Sequence, residues 1–345
     1  MENLKHVLVC GNGFDLAIGR KTSYWDFYQS GYCPKNYSAP LITYLNKKLG
    51  NGKDVRWLDM ETAIQQYAIE ANKNAKGNES YFTNDEKKVI AFLKTQSVEP
   101  VIENYHALAT GVSNFDEIEY NLIERGVLYR DNWAITRVPF ELSELDYTRI
   151  ERDRIALKRI EDCLAAYLRN MPYQHEEKMN TADTLMLNAL KSEDTRTYSF
   201  NYTDISRVYT DDENKAREYD KKISYVHGSL KDNHIIIGAK DGDYGDYNFL
   251  QKVFDDQYGA PSLLTDLLEA EEVDIYGHSL GECDSQYFMP FFYQQVQATA
   301  KRKRITIYTY DAKSKECIKS NLQKLTGNKL SLLYNLNKFE IVTQK

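Results

Sequence analysis

A short apolar run, Val7-Leu8-Val9-Cys10, stops on the turn Gly11-Asn12-Gly13-Phe14-Asp15, and no comparable β-branched run follows before Arg196. This spacing constrains the fold more than any other feature. A chain that opens with a buried strand and supplies its other strands from its last third must complete one sheet across a long insertion. The predicted strands are His6–Cys10, Arg196–Phe200, Ile223–His227, His234–Gly238, Val273–Tyr276, Arg304–Tyr310 and Lys338–Val342. Between them, helical spacing of apolar residues predicts helices over Trp57–Ala71, Glu86–Leu93, Pro100–Val112 and Tyr147–Leu168. The last of these is dense in charge and reads as a surface helix laced with i,i+4 pairs. The economical architecture is α/β, a doubly wound, mostly parallel, Rossmann-like sheet with a large helical insertion after its first strand. Residues 1–34 and 192–345 form the core and 35–191 the insertion, a size typical of a separate domain or lid.

Bulk properties exclude several function classes. The 44 Lys+Arg against 51 Asp+Glu leave a formal net charge of −7 without a long basic stripe, so direct nucleic-acid binding is not expected. The short run Lys301-Arg302-Lys303-Arg304 reads as a solvated helix end before a strand. No stretch reaches the ~20 consecutive apolar residues of a membrane span. The first residues lack the positive and then apolar regions of a secretory signal, and the expectation is a cytoplasmic protein without a membrane partner. Five cysteines with no Cys-x-x-Cys pair fit reduced thiols and predict neither a disulfide framework nor a metal site.

Chemistry concentrates where predicted strands end. The loop after the first strand is joined by Asn201-Tyr202-Thr203-Asp204, by His227-Gly228-Ser229, and by Gly277-His278-Ser279-Leu280-Gly281-Glu282-Cys283-Asp284. Ligands of open parallel sheets bind outside the carboxyl ends of the strands, so four such loops converge on one crevice. Gly277-His278-Ser279-Leu280-Gly281 matches the serine-esterase elbow, but that fold places its histidine after the serine, and no histidine follows Ser279. His227, His234, His278 and Asp284 match no recognised metal spacing. A dehydrogenase fingerprint needs a third glycine where Leu16 stands, and a second strand within ~30 residues, which is missing.

The segments Gly11–Ala17, Lys21–Phe27, Trp57–Glu61, Phe200–Thr203, Val226–Gly228 and Gly277–Leu280 resemble, in order and spacing, the AbiH family of bacterial phage-abortive-infection proteins. A more distant resemblance links Gly11-Asn12-Gly13, Asn201-Tyr202-Thr203-Asp204, His227-Gly228 and Gly277-His278-Ser279 to sirtuin-type NAD-binding domains. Phe14-Asp15 and Thr203 depart from that pattern, and the zinc-holding cysteine pairs of deacetylating sirtuins are missing.

The resemblance implies an abortive-infection effector with NAD as ligand or substrate, and hydrolysis of the nicotinamide N-glycosidic bond. Asn201 and His227 would be the catalytic pair. The turn Gly11-Asn12-Gly13 would take the pyrophosphate, Phe14, Asp15, Gly228, Gly277 and His278 would belong to the cofactor-binding set, and Ser279 and Asp284 would take the adenosine ribose. Nicotinamide leaves a cationic precursor as a neutral molecule, so the site needs a placed water and a stabilised oxocarbenium-like sugar rather than a general acid. A neutral histidine and a carboxamide suit that work. Each residue also has a bland explanation: Asn201 as a turn cap, His227 as a satisfied strand-end histidine, Asp15 as a helix cap. Trp57, Asp59 and Glu61 lie on or before a helix, where Trp57 packs and Asp59 caps, or where Glu61 projects into the crevice as an extra acid. Further expectations are a nucleotide sensor without chemistry, a weaker reading as a Mg²⁺-dependent nuclease or nucleotide hydrolase through Asp15, Glu61 and Asp284, a phage-derived trigger or partner protein, and a homo-oligomer.

Overall fold

In the computed structural model the central strand of the sheet is the N-terminal one, and the chain winds outward from it in both directions. Residues 4–50, 59–74, 77–95, 115–125, 127–131, 134–137, 146–171, 179–259 and 262–344 are described. Trp57 and the helix expected over Pro100–Val112 lie outside them. The strands are β1 (His6–Cys10), β2 (Leu128–Asp131), β3 (Ala134–Arg137), β4 (Thr195–Ser199), β5 (Ile223–Tyr225), β6 (Gly228–Ser229), β7 (His234–Ile235), β8 (Glu272–Tyr276), β9 (Arg304–Thr309) and β10 (Lys338–Thr343). Six of them form one sheet in the order β10-β9-β8-β1-β4-β5, and every pairing in it is parallel. Counted along the chain within this sheet, the order is 3-2-1-4-5-6 read from the β5 edge, that of doubly wound dinucleotide-binding sheets.

Residues alternate across the sheet because successive strand side chains point to opposite faces. Val7 and Val9 join Val273, Ile275, Ile305 and Ile307 in a core covered by the helices Leu263–Glu269, Ser285–Gln295, Ala312–Leu325 and Leu330–Leu336. Leu8 and Cys10 face the other way, onto Phe14, Ile18, Ala182, Met186 and Leu190. That side is covered by the helices Asn12–Ala17, Thr181–Lys191 and Glu213–Asp220. Each fully buried Val, Leu or Ile contributes roughly 1.5–3 kcal/mol relative to exposure, so the two-sided packing is what holds the insertion-split sheet together.

Register sets up the site. Cys10 pairs with both Ser199 and Tyr276, and Ser199 pairs with Tyr225, so β1, β4, β5 and β8 end side by side. The expected strand over His234–Gly238 differs. His234–Ile235 pairs antiparallel with Gly228–Ser229 in a separate hairpin whose turn is residues 230–233, and Gly228 enters it at φ +77°. A Cβ at Gly228 would stand 2.5 Å from the His234 carbonyl oxygen, so this close pairing requires glycine. The charge run before β9 is also not wholly solvated. Lys303 is buried and donates to the carbonyls of Leu268, at 2.8 Å, and Ala270, at the end of the helix Leu263–Glu269. A cation there satisfies orphaned carbonyls, and burial, with nearby Lys301, lowers its pKa to about 8.

The chain forms two compact units. The first holds the six-stranded sheet and comprises residues 1–27, 165–241 and 251–345; the second comprises residues 28–164 and 242–250. The second unit is built of the helices Pro40–Gly50, Met60–Lys73, Asn84–Thr95 and Phe115–Glu124, the β2–β3 hairpin, and the helix Arg149–Asn170 as far as Leu164. Its core gathers Tyr81, Phe82, Val89, Ile90, Leu122 and Leu128. The long charged helix carries the expected i,i+4 pair, Lys158 to Asp162 at 3.1 Å. It also buries two of its charges completely. Arg152 donates to the Ser38 carbonyl at 2.9 Å and lies over the Phe82 ring, while Asp153 accepts from the Leu41 N–H at 2.7 Å and from the Tyr67 hydroxyl. Among the described residues no helix is long and apolar enough to cross a membrane.

Candidate functional site

The reversal of strand order falls at β1, between β4 and β8, and there the loops after β1 and β8 lock together. The Gly13 N–H donates to the Gly277 carbonyl at 2.8 Å, and the Gly11 N–H to the Tyr276 carbonyl at 2.9 Å. Gly277 adopts φ +64°, and a Cβ on it would stand 2.4–2.5 Å from the Gly13 backbone; one on Gly11 would stand 2.5 Å from Cα of His278. Close backbone contact between the two loops therefore demands these glycines. Asn201 ties in the loop after β4, its amide donating to the Gly11 carbonyl at 3.0 Å.

Beneath Asn201 lies a buried carboxylate. Asp15 is fully enclosed, accepts from the Thr203 hydroxyl at 2.5 Å and faces Nη1 of Arg20 at 3.6 Å. Burial pushes its carboxyl up from the ordinary value, against the opposing pull of Arg20, Thr203 and Asn201. Arg20 also donates to the Asp204 carbonyl at 2.7 Å, so this cluster fastens the β4 loop to the segment after β1. Phe14 is core, edge-on to Tyr276, whereas Asn12 is exposed and accepts from Thr22 at 2.5 Å.

The densest chemistry gathers around Asp284. Lys252 Nζ donates to its Oδ1 at 2.8 Å, His227 Nε2 lies 3.4 Å from the same oxygen, and His278 Nε2 lies 3.3 Å from Oδ2. Lys252 Nζ is also 3.5 Å from His227 Nε2. Three of these side chains are almost wholly enclosed, with Lys252 at 1% exposure, and only Asp284, at 16%, opens to solvent. Phe200 packs its ring edge-on against both imidazoles, and Tyr287, whose hydroxyl meets that of Tyr258 at 2.8 Å, closes a further side of His227.

Electrostatics divide the cluster into fixed states. Burial, then the Lys252 charge, lowers the His227 pKa to about 3, overriding Asp284, so the imidazole is neutral at physiological pH. Burial alone raises the Asp284 carboxyl, but Lys252, His227 and His278 together outweigh it and hold the group ionised, well below the usual carboxylate range. The Leu280 N–H donates to His278 Nδ1 at 2.9 Å, which assigns the proton of neutral His278 to Nε2, facing the carboxylate. Leu280 itself sits at φ +52°, an uncommon conformation for a branched residue.

The structure thus brings His227, His278 and Asp284 into one cluster, with Gly11, Gly13, Gly277 and Asn201 as the joint beside it. Gly228 serves the hairpin, and Ser279 is exposed, its hydroxyl accepting from the Gly281 N–H at 3.2 Å. His234 pairs separately with Asp255 at 2.8 Å, and Glu61 belongs to the second unit, in the first turn of Met60–Lys73. Lys252 was not legible in the sequence. It follows a segment rich in Asp, Gly and Asn and carries no motif; its placement comes from the Ala239–Gln251 bridge and from its N–H donating to the Ala239 carbonyl at 3.1 Å.

Residues 7–310 match the model of the family described as Bacteriophage abortive infection AbiH, a span that takes in all four loops. The chain belongs to the AbiH family. Its role is accordingly in phage abortive infection. No curated protein and no solved structure matches the chain.

Proposed function

We propose that this AbiH protein binds NAD or a related nucleotide at the carboxyl ends of β1, β4, β5 and β8 and hydrolyses its nicotinamide N-glycosidic bond. The observation that carries this reading is a neutral, enclosed imidazole beside an ionised, partly open carboxylate at the point where the strand order reverses. His227 takes a proton from the attacking water as the water oxygen bonds to the anomeric carbon and the bond to nicotinamide breaks. Nicotinamide leaves neutral with its electron pair, and the imidazolium returns the proton to solvent. Asp284 and the exposed Ser279 hydroxyl accept from ribose hydroxyls. Asn201 acts by holding the β1 loop in place, since its amide serves both the Gly11 carbonyl and Asp15. The glycines do not by themselves argue for phosphate, because the space a Cβ would need is taken by protein backbone. The distant sirtuin resemblance agrees with this reading in loop order.

The test is NAD and nicotinamide content in phage-infected cells that express the protein. NAD loss with matching nicotinamide release is expected for wild type, and neither for a folded His227→Ala variant, which also loses phage resistance. Intact NAD in resistant, infected wild-type cells would sink the reading. A non-catalytic nucleotide sensor is the second reading, favoured by the deep enclosure of His227; it requires His227→Ala cells to keep their resistance.

A further inference from the structure

We propose that Lys252 is a positioning residue of this site: its ammonium, wedged between Asp284 and Nε2 of His227, keeps the Nε2 lone pair unprotonated and turned to accept. The contacts at one nitrogen decide the matter. Nε2 of His227 stands 3.4 Å from a carboxylate oxygen and 3.5 Å from an ammonium nitrogen. A carboxylate can only accept, so a bond to it requires a proton on Nε2. An ammonium can only donate, so a bond from it requires that Nε2 carry none. Both cannot hold together. Oδ1 of Asp284 already receives the shorter bond, 2.8 Å, from Lys252, and Oδ2 is served by His278. Of the two contacts at Nε2 only the lysine's has hydrogen-bond geometry, so the lone pair faces the lysine and the ring proton sits on Nδ1.

The two histidines of the cluster are then opposite tautomers. His278 is fixed with its proton on Nε2 by the Leu280 N–H, and His227 with its proton on Nδ1 by Lys252. The groups facing His227 are Lys252, Asp284 and His278, with the Tyr287 ring 5.8 Å away and Phe200 as the apolar wall. Of these three titratable neighbours only Asp284 favours protonation, and after burial Lys252 is the strongest opponent, ahead of His278. Without Lys252, only burial and His278 oppose the pull of Asp284, and the His227 imidazole protonates more readily. This role rests on the reading above and deepens it: Lys252 holds the resting imidazole neutral, and its ammonium gives up Nε2 when the attacking water takes its place.

The protonation claim is tested without substrate, so its failure is distinct from failure of the NAD reading. In wild type, ¹⁵N imidazole shifts should show His227 as the Nδ1–H tautomer and His278 as Nε2–H; Nε2–H at His227 overturns the proposal. In Lys252→Met the His227 titration midpoint should rise by about two or more pH units, as expected when a cation beside a buried imidazole is removed and a carboxylate stays. Lys252→Arg should hold it near the wild-type value. An unchanged midpoint in folded Lys252→Met also overturns the proposal. Should that variant not fold, the wild-type tautomer decides alone.

Discussion

At the scale of single residues, Asp284 does two jobs that pull in different directions. It is the anion that makes a buried lysine tolerable, and it is the group of the cluster that reaches solvent. Replacing it by Asn leaves Lys252 enclosed without its counter-charge, and removing one partner of a buried pair costs about 3 kcal/mol or more. Asp284→Asn should therefore lower the melting temperature markedly, while Ser279→Ala, at an exposed hydroxyl, should stay within about 0.5 kcal/mol of wild type in denaturant unfolding. The pH dependence follows from the direction of the shift. A carboxyl held below its ordinary value of 3.8 contributes stability that is complete above that value and is lost as pH falls through the folded pKa. The difference between wild type and Asp284→Asn should accordingly be flat from pH 5 to pH 8 and shrink below about pH 4.

At the scale of elements, the strand-to-loop transitions carry more specificity than the strands. Gly277 combines a positive φ with backbone contact to Gly13, so an alanine there is strained twice, by its own conformation and by the neighbouring loop. Gly277→Ala should cost about 2 kcal/mol or more in thermal or denaturant unfolding, whereas Gly259→Ala, whose Cβ would meet nothing nearer than 4.0 Å, should be tolerated. A Gly277→Ala protein as stable as wild type would mean that the β1 and β8 loops do not interlock. The strands themselves were legible because β-branched runs such as Val7–Cys10 are apolar on both faces, the mark of a strand buried between helices. The run Ile235-Ile236-Ile237 misled on extent: its ladder partner is the two-residue strand Gly228–Ser229, so only His234 and Ile235 pair in the hairpin. The helix Arg149–Asn170 misled on burial, since nothing in a charged sequence tells which Arg or Asp will meet an aromatic or a backbone N–H. His227, His278 and Asp284 were visible as strand-end residues. Lys252 was not, because its position depends on a backbone bridge rather than on a motif.

At the scale of the molecule, the sheet order explains how so dispersed a set of residues becomes one site. β1, β4, β5 and β8 end in register, so loops drawn from residues 11–15, 200–204, 226–229 and 277–284 meet at one edge although they span most of the chain. A nucleotide seated there must protect all four loops at once, which no single-loop site would do. Hydrogen exchange with and without NAD at roughly a hundred times its dissociation constant should show slowed exchange in those four segments and none in the β2–β3 hairpin. The same concentration should stabilise the folded protein by about 2.7 kcal/mol, the amount that mass action requires of any ligand confined to the native state. The two readouts check each other: stabilisation without protection in the four loops places the ligand elsewhere on the protein. Protection confined to the β1 loop alone would reduce the site to a phosphate contact and remove His227 and Asp284 from it.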